Sequence, residues 1–382
     1  MTINRGLFSL SAFVLIMGAT LQAAASGEVR FTSVSRADAE HQLTGLTQQE
    51  TSAAMYIWTD KYVYQQGEAA TLRWTLKPNN DFYPYAIVAY RINNQTGVKT
   101  YLPGPGTDVS DVFGNSFDQG FRITRLPEAN KAVLVGSGGQ VGVEGGRIPN
   151  ELGMHTYVVQ LRDYTGTRVI KSSYAKIGVV SGTEDLTGNI NSSRTLTNTR
   201  AYNLRGVVFV RNSAVLTIEP GTFIIGQPGA APAPSVLVVT RTGRIEAKGT
   251  RSRPIIMTSS LPFGQRKRGD WGGLILLGSA TGNTPAERSF IEGLPEGEDS
   301  RYGGTDDNHN CGTLRYVRVE YAGAEFAPNN EVNGITWGGC GKGTVSEYLQ
   351  SSYGFDDAFE WFGGTTTQNI SLRTTRAMIT LT

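Results

Sequence analysis

Short apolar runs recur through the second half of this 382-residue sequence at a nearly constant spacing. Matching runs differ in sequence number by 28 or 29, and in one case by 24; they are Val208 with Leu237, Leu216 with Ile245, Val317–Tyr321 with Val345–Leu349, and Gly334–Trp337 with Ala358–Trp361. This spacing is too long for hairpins and is typical of a solenoid, in which each coil buries its apolar face against the next coil. It predicts a right-handed parallel β-helix over residues 188–382.

The chain before this repeat has a different pattern. Residues 55–180 contain short alternating apolar runs separated by turn sequences such as Asn94–Gly97 and Asp163–Gly166, with no helical periodicity between them. This texture favours an immunoglobulin-like β-sandwich, joined to the β-helix by a linker at residues 181–187. The predicted fold class is therefore all-β, an immunoglobulin-like sandwich followed by a parallel β-helix.

Residues 1–25 have the form of a secretory signal peptide. A short basic region, Met1–Arg5, precedes the apolar stretch Leu7–Met17 and the small residues Ala23-Ala24-Ala25. A transmembrane anchor would need about 20 apolar residues. We therefore expect an exported protein, periplasmic, at the cell surface or secreted, with no transmembrane segment after cleavage and with residues 26–54 as a lead segment.

The net charge of the chain argues against one class of partner, the nucleic acids. The net charge of +2 comes from 35 basic and 33 acidic residues, which is not the signature of a nucleic-acid-binding protein. We expect no nucleic-acid partner.

Several turn and core segments of the repeat resemble a group of exported bacterial β-helix proteins that are mostly uncharacterised. The similar segments are Leu216–Thr222, Gly243–Thr250, Pro254–Thr258, Trp271–Leu274, Val317–Gly323, Asn333–Trp337 and Asp356–Gly364. The resemblance covers about residues 188–364 and implies the β-helix fold. It implies no single activity, because β-helices serve as lyases, hydrolases, adhesins and surface scaffolds.

Asp356, Asp357 and Glu360 form the strongest acidic cluster. The resemblance extends to β-helices that cleave polysaccharides, which place carboxylates on one exposed face for general acid and base catalysis. Adjacent strand residues face opposite sides, so Asp356 and Asp357 share a groove only at a bend, which Ser351–Gly354 favours. A solvated turn or a cation clamp between coils is the alternative.

A second polar segment offers oxygen ligands for a metal. Asp306, Asn308 and Asn310 alternate as calcium ligands do, but Cys311 and Val317 stand where an EF-hand needs Gly and Glu. The sequence thus predicts a Ca²⁺ site of another type, or a solvated loop.

The three histidines and one short motif give no clear indication of a catalytic, metal or binding site. His41, His155 and His309 have no zinc-ligand spacing, and no G-x-S-x-G motif provides a nucleophile for a catalytic triad. The tripeptide Arg268-Gly269-Asp270 matches an integrin-binding motif, but it is better explained as a corner that leads into a strand.

The cysteines and two tryptophans give further predictions. Cys311 and Cys340 are separated by about one coil, which would place them on neighbouring coils at about 5 Å and predicts a disulfide. Trp337 and Trp361 would stack on sugars if they were exposed, and packing in the core is the alternative.

The segment Ser371–Thr382 has no glycine, no acidic residue and no capping element. Natural solenoids cover their ends, so we expect the β-helix to be truncated at its C-terminus, as a frameshift would cause. An ordinary Thr-rich final strand is the alternative.

Two functions remain in competition. The favoured hypothesis is an exported, non-enzymatic surface or envelope protein that binds a glycan, other polysaccharide or envelope component along a β-helix face. The alternative is a polysaccharide lyase or hydrolase that uses Asp356, Asp357 and Glu360. The sequence leaves open whether the protein is an enzyme, and it does not indicate the oligomeric state.

Overall fold

The computed structural model describes most of the chain from residue 54 onward and two short segments before it. The described residues are 19–23, 29–33, 54–59, 61–68, 71–77, 85–101, 121–123, 134–140, 149–162, 168–228, 234–262, 264–282, 289–327, 330–366, 368–371 and 379–381. These ranges contain β-strands and one short 3-10 helix, Glu298–Ser300. None of the described segments is a helix long and apolar enough to span a membrane.

The described strands before residue 181 are antiparallel with one exception. In chain order they are β1 (Ala19–Ala23), β2 (Val29–Ser33), β3 (Ala54–Thr59), β4 (Val63–Gln65), β5 (Thr71–Lys77), β6 (Tyr85–Asn93), β7 (Lys99–Tyr101), β8 (Phe121–Ile123), β9 (Leu134–Gln140), β10 (Gly153–Arg162) and β11 (Val169–Val180). One sheet has the order β4-β11-β10-β6-β7, with β8 also on β6, and a second has the order β3-β5-β9. The exception is the parallel pair β4 and β11. The immunoglobulin-like arrangement of these sheets stays a prediction.

From residue 183 the chain winds through three parallel sheets. The strands are β12 (Thr183–Leu186), β13 (Asn189–Ile190), β14 (Arg194–Leu196), β15 (Ala201–Leu204), β16 (Val207–Val210), β17 (Val215–Ile218), β18 (Phe223–Gly226), β19 (Val236–Val239), β20 (Arg244–Lys248), β21 (Ile255–Ser259), β22 (Gly273–Leu277), β23 (Gly312–Arg315), β24 (Val317–Glu320), β25 (Glu325–Ala327), β26 (Asn330–Glu331), β27 (Ile335–Gly338), β28 (Val345–Glu347), β29 (Gln350–Ser352), β30 (Phe359–Phe362), β31 (Gln368–Ser371) and β32 (Ile379–Leu381). The short pair β25–β26 is antiparallel and lies outside the three sheets.

The order of strands within each sheet shows the coil. Sheet 1 contains β14-β17-β20-β23-β28-β31, sheet 2 contains β12-β15-β18-β21-β24-β29, and sheet 3 contains β13-β16-β19-β22-β27-β30-β32. Beyond β31, sheet 1 is continued by the antiparallel strands β1 and β2. Each coil passes through sheet 2, then sheet 3, then sheet 1. The three parallel sheets are consistent with the predicted right-handed β-helix.

The core of the β-helix consists of ladders of apolar residues, one from each coil. Along sheet 3 the ladder Val208, Leu237, Leu274, Ile335 and Phe359 is fully buried. Each coil's apolar side chains are thus removed from water by the coils above and below, which is the main stabilising term of a solenoid. The predicted pairing of Val208 with Leu237 is confirmed.

One predicted pairing is wrong, namely that of Val317–Tyr321 with Val345–Leu349. Val345 pairs with Thr313 of the preceding coil, and the strand that begins at Val317 pairs with β29 instead. The error has a physical cause, because Tyr316 and Tyr348 each turn a corner alone, in the left-handed conformation with φ of 47° and 54°. Because such a corner takes up one residue, the apolar residues of two strands in different sheets follow one another in the sequence as if they belonged to one strand.

The predicted linker at residues 181–187 is also wrong in part. Thr183–Leu186 is β12, the first strand of sheet 2, and it pairs with β15. Its first three residues are polar, so the sequence resembles a linker, but Leu186 is buried in the β-helix core. The lead segment 26–54, apart from its strand residues, and residues 372–378 and 382 lie outside the described ranges, so the expected incomplete end stays a prediction.

Two of the three outer faces of the β-helix are covered. Met154 and Val180 of the N-terminal sheet form a buried cluster with Ala201, Phe223 and Ile256 of sheet 2. Sheet 3 is covered by residues 289–302, which we call the strap. Three strap residues form a second buried cluster with outward side chains of sheet 3, in the group Ile291, Leu294, Tyr302, Val236, Val238, Ile275, Leu277 and Val332.

The predicted disulfide between Cys311 and Cys340 is confirmed. The two Cα atoms are 5.9 Å apart, and both residues lie at the corner between sheets 3 and 1 on neighbouring coils. The bond joins the segment that follows the strap to the next coil.

Removing this disulfide should destabilise the protein. Replacing both cysteines by serine is expected to lower the free energy of unfolding by roughly 3.5 kcal/mol, since the reduced chain regains the conformational entropy of the closed loop. Denaturant unfolding of the double variant and the parent measures this. An equal loss on adding reductant to the parent, and none in the variant, is the control. Two reactive thiols in the unfolded, non-reduced parent would contradict the disulfide.

Candidate functional site

The predicted carboxylate cluster lies where the strap meets sheet 3. Glu360 occupies the outward column of that sheet, following Phe209, Val238, Ile275 and Thr336 on successive coils. The first residues of this column are apolar, whereas its member on β30 is an acid that is only 8% exposed. A buried acid at the edge of an apolar face requires polar partners.

Those partners come from the strap and from the segment before β27. Asn333 donates hydrogen bonds from Nδ2 to Glu292 Oε1 at 3.0 Å and to Glu360 Oε2. Both carboxyl groups therefore lie within reach of the same Asn333 amide nitrogen, and the Glu292 carboxyl group is one of the causes that raise the pKa of Glu360. One amide therefore joins an acid of the strap to an acid of sheet 3.

Two carboxyl groups that accept from one amide nitrogen lie close together, and like charges so close favour the uptake of a proton by one of them. Burial and the neighbouring Glu292 carboxyl raise the pKa of Glu360 to about 9. Burial also raises the pKa of Glu292. At neutral pH we therefore assign one proton and one negative charge to the pair.

Asp356 and Asp357 lie on the bend between β29 and β30, where two adjacent residues can share one face. Asp357 is buried, and its backbone N–H donates to Asn333 Oδ1 at 3.0 Å. Asp356 is half-buried, and burial together with the Asp357 carboxylate raises its pKa. All three predicted acids are thus close enough to influence one another electrostatically.

Sequence reasoning missed Glu292 and Asn333, which complete the cluster. Glu292 lies in a segment with no repeat pattern, and only the fold brings it to Glu360, which is distant along the chain. Asn333 stands at the start of a segment that carries the family resemblance, but nothing in its spacing indicated a hydrogen-bonding role.

The surroundings of Glu292 and Glu360 are predominantly acidic. The charged groups that act most strongly on the pKa values of the pair are acids, Asp356, Asp357 and Glu331, and an acid does not stabilise an anionic intermediate.

Trp337 and Trp361 do not face solvent, which contradicts the prediction that they stack on sugars. Trp337 is fully buried and Trp361 is 6% exposed. Their rings stack on each other inside the core, with centroids 4.9 Å apart and planes 4° apart. The alternative, ladder packing, is correct because both residues occupy an inward column of sheet 3.

Two of the predicted calcium ligands are hydrogen-bonded within their own loop. Asp306 Oδ1 accepts the backbone N–H of Asn308 at 3.1 Å, and Asn310 Oδ1 accepts that of Gly312 at 2.8 Å. Both oxygens therefore brace the loop, and across the described ranges no three His, Cys, Asp or Glu side chains come together as metal ligands. The calcium site stays a prediction.

The remaining candidates have structural roles where they are described. Ser279 Oγ lies 2.8 Å from His309 Nδ1, and Asp306 Oδ2 lies 4.0 Å from the same nitrogen. A catalytic relay would need the serine and the acid on opposite ring nitrogens, so the three residues do not form one. His155 is buried against the carbonyl of Glu151. Asp270 is buried and accepts a hydrogen bond from Ser259, so Arg268-Gly269-Asp270 is a folded corner. His41 lies outside the described residues.

Sheet 1 presents the third outer face, and its outward side chains are exposed or half-exposed. One outward column is Thr195, Thr217, Glu246, Thr313 and Val345, and a second is Lys248, Arg315 and Glu347. Glu246 pairs with Arg244 and Lys248, and Arg315 pairs with Glu347 at 3.3 Å. At the corner that follows, Tyr316 and Tyr348 stack with centroids 4.5 Å apart.

A comparison with protein families identifies the β-helix. Residues 188–375, just under half of the chain, match the model of the pectate-lyase-like β-helix domain. No curated protein sequence matches the chain.

Proposed function

We propose that the protein binds a polysaccharide along sheet 1 without cleaving it, and the match of residues 188–375 to the model of a pectate-lyase-like β-helix domain supports a polysaccharide-related role. The proposed ligand is a glycan of the cell surface or envelope, and the proposed protein is exported. The observation that carries the proposal is the difference between the three faces, since sheets 2 and 3 are covered and sheet 1 keeps its polar side chains in contact with solvent.

The chemistry of sheet 1 suits a polymer with regularly spaced hydroxyl groups. Its threonine, glutamate, lysine and arginine side chains repeat at about 4.8 Å along the axis, the separation of neighbouring strands. Threonine and glutamate oxygens accept hydrogen bonds from sugar hydroxyls, and lysine and arginine donate to sugar oxygens. A long, flat, polar face of this kind fits a chain of sugars better than a compact ligand.

The absence of cleavage in this proposal rests on the carboxylate pair. Asn333 donates a hydrogen bond to both Glu292 and Glu360 where the strap meets sheet 3, so neither acid is presented to a ligand on sheet 1. Export is supported by the signal-peptide pattern of residues 1–25 and by the disulfide, which oxidising compartments favour.

Binding can be tested by affinity electrophoresis against a panel of neutral and charged polysaccharides. Arg315→Ala is expected to weaken retention about tenfold, the order expected for losing a hydrogen bond to a charged group. Arg205→Ala is the matched control, because Arg205 is also 50% exposed and paired with one acid, Asp185, but follows sheet 2.

Two results would contradict the proposal. Equal weakening by Arg315→Ala and Arg205→Ala would exclude sheet 1 as the binding face. Release of reducing ends from a retained polysaccharide, abolished by Glu360→Gln, would show that the protein is instead a polysaccharide-active enzyme.

A further inference from the structure

The strap is a folded segment with its own internal hydrogen bonds. Its two arms are joined by Ile291 N–H to Ser300 O at 2.9 Å and by Tyr302 N–H to Ser289 O at 2.9 Å. Its apolar underside packs on the outward side chains of sheet 3. The strap therefore covers apolar surface that would otherwise meet water, and it contributes no strand to the three parallel sheets.

The strap is fastened to the β-helix in two different ways. Near its 3-10 helix, Asp299 pairs with Arg211 at 2.5 Å and Glu298 pairs with Arg241. These contacts join opposite charges. At Glu292 the contact joins two acids, Glu292 and Glu360, through Asn333.

The acid–acid contact depends on a proton, whereas the other contacts do not. With one proton, the pair carries a single negative charge, and Asn333 donates to both carboxyl groups. With no proton, two negative charges, of which that on Glu360 is buried, meet at one amide nitrogen beside Asp356, Asp357 and Glu331. Like charges at this distance in a buried site repel strongly, and separation of the strap relieves the repulsion.

The other titratable group in contact with this region does not substitute for the pair. Tyr302 is at the end of the strap, and burial raises its pKa above the usual tyrosine value. It therefore stays neutral while the carboxyl pair loses its proton.

We propose that the strap is a pH-sensitive cover for sheet 3, held closed by the proton that Glu292 and Glu360 share and opened on that side when the proton is lost in alkaline solution. Opening would expose the apolar cluster around Val238, Ile275 and Leu277. This device is independent of glycan binding on sheet 1, so each proposal can fail while the other holds.

The direction of the effect follows from the shift in pKa. The closed strap holds its proton up to about pH 9, whereas in the open strap Glu360 has an ordinary pKa of about 4.3. Between these values only the closed form carries the extra proton, so the ratio of closed to open strap falls about tenfold for each unit of rising pH. Closure is strongest in acid and is lost progressively toward pH 9.

The experiment measures the fluorescence of an apolar dye bound to the full chain between about pH 6 and about pH 10. For the unaltered protein, dye binding should rise with a midpoint below or near pH 9. Glu360→Gln and Glu292→Gln each leave a single ionisable group, so neither variant can develop the repulsion, and both should give a flat profile. Glu298→Gln weakens the other fastening and should keep the pH step.

Three outcomes would overturn the proposal. These are no rise in dye binding in the unaltered protein, an equal rise in the two glutamine variants, and a rise that coincides with loss of the cooperative melting transition. The use of two independent variants keeps the test decisive if one of them fails to fold.

Discussion

Replacing Trp337 by alanine is expected to lower the free energy of unfolding by about 3–5 kcal/mol, the usual cost of truncating a large buried aromatic side chain. The Trp337 side chain is fully buried, stacked on Trp361 and tilted against Phe359 with centroids 6.1 Å apart. Removal of the indole ring would leave a cavity that spans two coils, and the rigid ladders of neighbouring strands limit how far the site can collapse. Urea unfolding monitored by far-ultraviolet circular dichroism measures the loss.

Phe355→Ala is the control for this prediction. Phe355 is 55% exposed at the corner between sheets 2 and 3, so its removal should change stability by no more than about 0.5 kcal/mol. If Trp337→Ala instead left stability unchanged and weakened polysaccharide binding, the ring would be a ligand platform and not part of the core.

The repeat spacing predicted the β-helix because burial between coils imposes a period that the sequence must keep. Where each coil has a plain turn, the predicted register was right, as for Val208 with Leu237 and Ile335 with Phe359. It failed where Tyr316 and Tyr348 turn a corner in one residue, because apolar spacing does not reveal a change of sheet. The disulfide was predictable for the same reason as the fold, since it joins neighbouring coils.

The candidate site was predictable only in part. Asp356, Asp357 and Glu360 are close in sequence, so a bend alone brings them together. Glu292 reaches them through a strap whose path is set by packing on sheet 3, and such packing leaves no periodic signal. The protonation state of the cluster therefore depends on Glu292, which the local sequence does not indicate.

The contact between the N-terminal sheets and the β-helix contains a second buried charged group. Arg318 and Glu320 on β24 form an ion pair, and Glu320 is 1% exposed. Glu320 Oε2 also accepts a hydrogen bond from Thr258 at 3.0 Å. The guanidinium carbon of Arg266 lies 4.1 Å from the ring centroid of Tyr62, a residue of the N-terminal region. Burial and the Glu320 carboxylate raise the pKa of Tyr62. This pair therefore lies beneath the interface between the two parts of the chain.

Arg318→Ala is expected to cost about 3–5 kcal/mol, because it leaves the buried Glu320 carboxylate without its counter-charge. Replacing both members, as in Arg318→Met with Glu320→Gln, should recover most of that loss, since the penalty comes from an unpaired charge and not from lost attraction. Arg315→Ala removes an exposed pair on sheet 1 and should cost no more than about 1 kcal/mol. Equal destabilisation of the single and double variants would show that Arg318 acts through packing of its side chain and not through its charge.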